Sequence, residues 1–314
     1  MLAGAGSYAA LQALILRPGP LVQARDVVVP KGGVTEVGDA LVRAGVIERV
    51  STFRLAAWLS VGQGPLRALE LEFPAHASLR TVLAVLRSGR PVQHLVTIPE
   101  GLTSRQIIAL LNRGDALVGR IAVPPEGSVL PQTYAYEYGT ARPALLARAE
   151  AAMAHELAAA WAKRAPGLPL ASPADAVILA SIVEKETAKP DERPHVAAVY
   201  LNRLRIGMRL QADPTVAYAV GGGNPLDRKL MRADLDFPSP YNTYRVGGLP
   251  PGPICSPGLA SIQAVLHPAA SDDLFFVADG TGGHIFSRTE EAHSRAVAAW
   301  RALNGSGSGH GSPD

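Results

Sequence analysis

Cysteine is almost absent: Cys255 is the single one in 314 residues. A lone cysteine closes no internal disulfide and builds no cysteine-rich zinc site, so Cys255 reads as a small buried thiol. Aromatic residues make up only 5%, which leaves alanine, leucine and valine to fill most of the core. No run of five or six like charges occurs and the formal net charge is only +3, so nucleic-acid binding has no electrostatic footprint. His267, His284 and His293 lack the i, i+4 spacing of paired metal ligands, and no metal is expected. A Walker sequence, a dinucleotide fingerprint and a Gly-x-Ser-x-Gly elbow are all missing. A long hydrophobic run is missing too. Leu2 to Leu16 is uncharged, but as a helix it would reach only about 22 Å at about 1.5 Å per residue, short of a ~30 Å hydrocarbon core. No basic region precedes it, which makes a poor signal peptide. Three readings stay open: the end of a membrane anchor, a cleaved export segment, or an apolar terminal helix packed on a domain.

What is present suffices for a folded chain. Hydrophobic residues make up 47% and charged residues 18%, a globular composition of a size for two domains, or one with a sizeable appendage. The first third reads as strand–turn–helix units in loose repetition. Val27–Val29 precedes a helix capped by Thr35. Leu69, Leu71 and Phe73 alternate with Glu70 and Glu72 before Ser78 and a second helix. Leu95–Ile98 precedes Thr103 and a third. An Ala-rich helix follows from Pro143 to Arg164. Ser172, Pro173 and Asp175 open another, in the order expected of a helix start. Further helices are expected over Glu192–Ile206 and after Asp213-Pro214. The stretch 238–257 holds six prolines and reads as a long ordered loop. Leu274–Val277 and His284–Phe286 form a hairpin, Glu290–Leu303 a closing helix, and the Gly/Ser-rich end is expected to be disordered.

The sharpest chemical feature is Ala176 to Val183, apolar apart from Ser181, followed by Glu184-Lys185-Glu186-Thr187. A helix without a polar face is buried on all sides. Glu184 emerges on the face of Ala180 and Ser181, where desolvation favours a neutral acid able to donate a proton. Glu186 points roughly 200° away, toward solvent or a partner. The alternative is a structural Glu184 paired with Arg203 or Arg209. Downstream, Asn202, Arg203, Gln211, Asp213, Thr215, Tyr241, Asn242, Thr243 and Tyr244 supply the amides, hydroxyls and aromatic faces that hold sugars.

The blocks Ala180-Ser-Ile-Val-Glu184-Lys-Glu-Thr187, Val199-Tyr-Leu-Asn202-Arg-Leu, Gly207-Met-Arg-Leu-Gln211-Ala-Asp213-Pro-Thr215-Val-Ala-Tyr218, Ser239-Pro-Tyr241-Asn242-Thr243-Tyr244 and Gly248-Leu-Pro-Pro-Gly-Pro-Ile254 resemble, in order, the endolytic murein transglycosylase (YceG-like) family. Ile98-Pro-Glu-Gly101 and Pro-Glu126-Gly127 agree. At Leu130-Pro-Gln132 the family usually has an aromatic before the proline and an acid after it.

The resemblance implies an α+β chain with LysM-like strand–turn–helix N-terminal modules (21–118), a mixed, helix-rich catalytic domain (119–304) with a small C-terminal hairpin, the remnant of a transmembrane anchor (1–20) and a disordered tail (305–314). It implies a lyase with Glu184 as the catalytic acid and base. Gln211, Asp213, Thr215, Tyr241 and Asn242 would hold the glycan, and no cofactor is needed. The product would be 1,6-anhydro-N-acetylmuramic acid ends, formed on nascent strands. The implied partners are peptidoglycan strands, peptidoglycan synthases and the cytoplasmic membrane, spanned once, with the catalytic domain on its outer side. A hydrolytic muramidase using Glu184 with Asp213 or Glu186, and a non-catalytic wall-binding protein, are the rival readings.

Overall fold

The computed structural model of the chain describes residues 12–305. They fall into two compact units, residues up to 95 with 135–140, and 96–134 with 141 onward. The expected anchor remnant lies mostly outside the described residues, as does the tail beyond Gly305. Among the described residues no helix is long and apolar enough to cross a membrane.

In the first unit, β1 (Arg25–Val28) and β2 (Glu70–Phe73) pair antiparallel, with Val27 opposite Leu71. The alternation in β2 works as read: Leu71 and Phe73 are fully buried and Glu72 is exposed. Two helices, α1 (Val34–Arg43) and α2 (Val50–Leu59), separate the strands. The expected repetition of one helix per strand therefore fails here. Nothing in α2 announces it: Arg49 at its N-cap makes no side-chain cap bond, and apolar residues cover both its buried and its exposed sides. Thr35 lies inside α1, and Gly33 takes the cap position without a side-chain bond. The two helices meet at Gly38, where a Cβ would come within 2.9 Å of Val50 Cγ1 and 3.1 Å of Phe53 Cδ1. Helix α3 (Leu79–Ser88) closes the unit, with Ser78 Oγ accepting from Thr81 N at 3.3 Å.

The boundary between units falls within β3 (Gln93–Thr97) and β5 (Thr133–Glu137), which pair. Between them in sequence come α4 (Ser104–Asn112), opened by a Thr103–Gln106 capping box, and β4 (Leu117–Val118). After β6 (Thr140–Ala141) the second unit is mostly helical. It contains α5 (Arg142–Ala162), α6 (Pro173–Glu186), α7 (Arg193–Arg205), α8 (Asp213–Gly221), α9 (Leu259–Leu266), the antiparallel hairpin β7 (Phe275–Ala278) and β8 (His284–Ser287), and α10 (Glu290–Gly305).

Helix α6 is the axis of this unit, packed by α5, α7, α8 and α9. Ser172 and Asp175 form a reciprocal capping box and Pro173 sits in the first turn, so its start is fixed locally. Ala176, Leu179, Ala180, Ile182 and Val183 are all fully buried. Ser181, the polar exception, is buried as well. Its Oγ donates to Ile178 O at 2.7 Å and accepts from Ile254 N at 3.0 Å, tying the proline-rich loop to the helix. Ser181→Ala should therefore strand the buried Ile254 N–H and cost roughly 1–3 kcal/mol. Denaturant titration measures this, and a loss below about 0.5 kcal/mol, within the scatter of ordinary surface changes, would show that the tether contributes nothing.

Candidate active site

The last turn of α6 carries two carboxylates two residues apart, so they face roughly 200° apart. Glu184 turns inward and its side chain is 6% exposed. Its Oε2 accepts from Ser261 Oγ at 2.7 Å and from Gly258 N at 3.0 Å, both at the start of α9. Its Oε1 lies 3.3 Å from Arg193 Nη2 on α7, and that nitrogen also lies 3.5 Å from Glu100 Oε2. A side chain at Gly258 would run into the Glu100 carboxylate, so the network needs glycine there. Every partner of Glu184 is a donor, the pairing suited to an acceptor-only carboxylate. The structural partner is thus Arg193, and neither Arg203 nor Arg209.

Glu186 turns the other way, into a cavity of about 410 Å³. Its Oε1 accepts from the hydroxyl of Tyr200, which is buried on α7. Burial pushes the Glu186 carboxyl up to about 7, and the nearby charge of Asp213 adds to this; the Tyr200 hydrogen bond and Arg203 pull the other way. Burial also raises Tyr200 well above its usual value, so it stays a hydrogen-bond donor.

The cavity wall comes from distant parts of the chain. Arg203 is buried on α7, where its Nε donates to Leu274 O at 2.6 Å and its guanidinium lies 5.4 Å from the Phe275 ring centre. Asn202 Nδ2 donates to Ser271 O at 2.8 Å and Asp273 O at 3.0 Å, so α7 grips the strand entering β7. Asp213 opens α8 and accepts from Tyr244 Oη at 2.6 Å. Gln211, exposed at the rim, has a φ of 49°. A non-glycine residue in that left-handed region stores of order 1–3 kcal/mol, which the Gln211 N to Thr243 O bond at 3.2 Å helps to hold.

The residues expected to hold a glycan separate into two groups. Gln211 and Asp213 line the cavity with Glu186. Thr215 and Asn242 do not, because both are fully buried and saturated. Thr215 Oγ1 bonds Ala212 O at 2.7 Å and lies 2.9 Å from Thr243 Oγ1. Asn242 bonds Leu235 O, Phe237 O and Tyr244 N within the loop. These two build the loop. Tyr241 packs on Tyr218, ring centres 5.0 Å apart, outside the cavity lining. Tyr200, Phe275, Phe276, Glu290, His293 and Ser294 complete the wall without having been singled out for the site. Tyr244 and Arg203 did stand in the polar set; Tyr200 and His293 carried no local mark.

The site thus sets a helix-borne carboxyl, raised to about 7, beside a cavity lined by hydroxyls, an amide and a guanidinium within a helix-centred α+β unit. The model of the YceG-like family matches residues 27–299, and the chain belongs to that family. A Bacillus subtilis protein named endolytic murein transglycosylase is 44% identical over 38% of this chain and 32% of its own length. One of the same name from Streptococcus pneumoniae is 29% identical over 86% of this chain and 57% of its own. The chain thus spans a third to just over half the length of these relatives. The crystal structure of a yceG-like protein from Listeria monocytogenes superposes with a TM-score of 0.52 at 26% identity, covering 87% of this chain and 98% of that one.

The two carboxylates should answer differently to removal. Glu184→Ala leaves Arg193 with Glu100 alone at 3.5 Å and takes the acceptor from Ser261 Oγ and Gly258 N, and should cost roughly 1–3 kcal/mol; a variant within about 0.5 kcal/mol of wild type in denaturant titration, the scatter of ordinary surface changes, would contradict the network. Glu186 acts in the opposite sense. Its carboxyl is raised from 4.5 to about 7 on folding, so its contribution is fully present below the unfolded value and is lost as pH rises through the folded one. Glu186→Gln should therefore gain melting temperature relative to wild type as pH rises across that window. A difference that stays flat with pH would place Glu186 in water.

Proposed function

We propose that this chain is an endolytic peptidoglycan lytic transglycosylase with Glu186, rather than Glu184, as its acid and base. One observation carries the assignment: of the two carboxyls ending α6, Glu186 opens on a polar cavity and is raised to about 7, while Glu184 is consumed by Arg193, Ser261 and Gly258. The names of the relatives support the substrate class.

Protonated Glu186 donates to the glycosidic oxygen between N-acetylmuramic acid and N-acetylglucosamine. The resulting carboxylate takes the proton from the C6 hydroxyl of the muramic residue as that oxygen attacks C1. The bond to the leaving sugar breaks and a 1,6-anhydro ring closes. Intramolecular attack benefits from high effective concentration and needs no water. Tyr200 steadies the carboxyl by its hydrogen bond, and Gln211 and Asp213 border the sugar. Asp213 also favours a second reading, hydrolysis with Asp213 activating water, because it lines the same cavity as Glu186.

The first unit would capture glycan. Its β1-α1-α2-β2 order suits a LysM-like module. Trp58, 71% exposed, borders a shallow surface cavity of about 540 Å³ with Leu55 and Val61, and its ring offers a face to a pyranose. The resemblance further supports work on nascent strands outside the cytoplasmic membrane, beside a peptidoglycan synthase.

Glu186→Gln should lower cleavage of purified strands by at least ~10²-fold in a protein that still folds and still binds sacculi. Substantial residual cleavage would move the acid elsewhere. Mass analysis of wild-type products decides between the two reactions, because anhydro ends are one water lighter than the reducing ends hydrolysis leaves. Trp58→Ala should weaken sedimentation with isolated sacculi roughly 2–10-fold, the range of one aromatic stacking contact, while leaving turnover of short soluble fragments in place. Unchanged sedimentation would free the first unit from glycan capture.

A further inference from the structure

His293, on α10, stands in the wall of the Glu186 cavity, and the mechanism above gives it no task. Its ring stacks on Phe275, centres 5.2 Å apart at 22°. The Arg203 guanidinium lies 5.4 Å from the centre of that same phenylalanine, and Arg203 is itself fixed by Leu274 O. The imidazole is therefore held in place by its stacking on a fixed phenylalanine. Its Nδ1 is buried and has no hydrogen-bond partner among the described residues, an uncommon state for a polar atom. Sugars carry hydroxyl and acetamido groups able to pair with an imidazole in either tautomer.

The charge around the ring agrees. Burial first, then the positive Arg203, hold His293 below its usual 6.5, with Glu290 on its own helix opposing them. The other titratable groups of the cavity are Glu186, Tyr200, Asp213 and Tyr244. Between the depressed imidazole and the raised Glu186 lies a window in which Glu186 is protonated and His293 is neutral. Opposed environments of this kind mark a pair with separate roles.

We infer that His293 is a substrate-binding residue of this cavity, its neutral ring hydrogen-bonding to the sugar whose glycosidic bond Glu186 protonates. The inference rests on the proposed reaction. Acid then harms binding in a defined way: an imidazolium beside Arg203 loses its acceptor and adds a second positive charge. The rate falls on the acid side as His293 gains a proton, and on the alkaline side as Glu186 loses one.

The test uses the full chain with His293→Ala and His293→Gln, assayed on purified glycan strands from acid to alkaline pH. The alanine variant should lose roughly tenfold in kcat/KM, the scale of one well-placed hydrogen bond. The glutamine variant, which keeps the hydrogen bond without the titration, should recover most of that and lose the acid limb. Both variants keeping the wild-type kcat/KM and the wild-type acid limb would overturn the inference. A wild-type chain that cleaves nothing would instead defeat the proposed reaction. The inference is then read from binding alone, using a short N-acetylglucosamine–N-acetylmuramic acid oligomer. Glu186→Gln should bind it more tightly than Glu186→Gln/His293→Ala by a similar factor, and equal affinities would overturn it.

Discussion

The ion pair between Glu184 and Arg193 joins α6 to α7, and the other Glu184 oxygen seizes the start of α9 through Ser261 and Gly258. Three helices and the loop bearing Glu100 thus converge on one carboxylate that is almost sealed from water. Breaking such a pair on one side leaves a buried charge, which makes the arrangement rigid even where its net stabilisation is small. The rotation of α6 about its own axis is then fixed, and with it the direction of Glu186. Two residues on, the chain must present its second carboxyl on nearly the opposite side.

That side carries the proposed site. Tyr200 and Arg203 come from α7, Asp213 from α8, Tyr244 from the proline-rich loop, Phe275 from the hairpin and His293 from α10. Most of these are braced by other contacts: Arg203 by carbonyls, Asp213 by Tyr244, the Phe275 strand by Asn202. Groups locked before the substrate arrives need no reorganisation during reaction. The left-handed backbone at Gln211 fits this pattern, as strain at a site rim is tolerated where surrounding structure over-determines it.

Much of this was legible where the information is local. The start of α6 follows from Ser172, Pro173 and Asp175, and the inward face of β2 from simple alternation. Helix α2 was not legible, because it has no side-chain cap and its apolar residues do not confine themselves to one side. Helix α9 was hidden similarly behind a run of prolines. In the site, composition identified residues of the right chemistry but not how they are used. Thr215 and Asn242 spend their hydrogen bonds on the loop, and only the partners, 28 and 5–7 residues away, reveal it. The opposition of Glu184 and Glu186 was readable from helical geometry. Which of the two fronts a cavity was not, since that cavity is assembled from segments far apart in sequence. One clue was available: the face shared with Ala180 and Ser181 is wholly apolar but for one serine, the mark of a face that packs the core, and Glu186 stands on the other side.

The central claim is that folding divides two neighbouring glutamates, one into the frame and one into the chemistry. Its most direct test is the titration of the Glu186 carboxyl itself, read as the difference between wild type and Glu186→Gln in the carboxyl infrared band or in glutamate-labelled carbon NMR. The account predicts a group that changes protonation at about 7. A Glu186 carboxyl that titrates with ordinary exposed glutamates, near ~4.3, would contradict it.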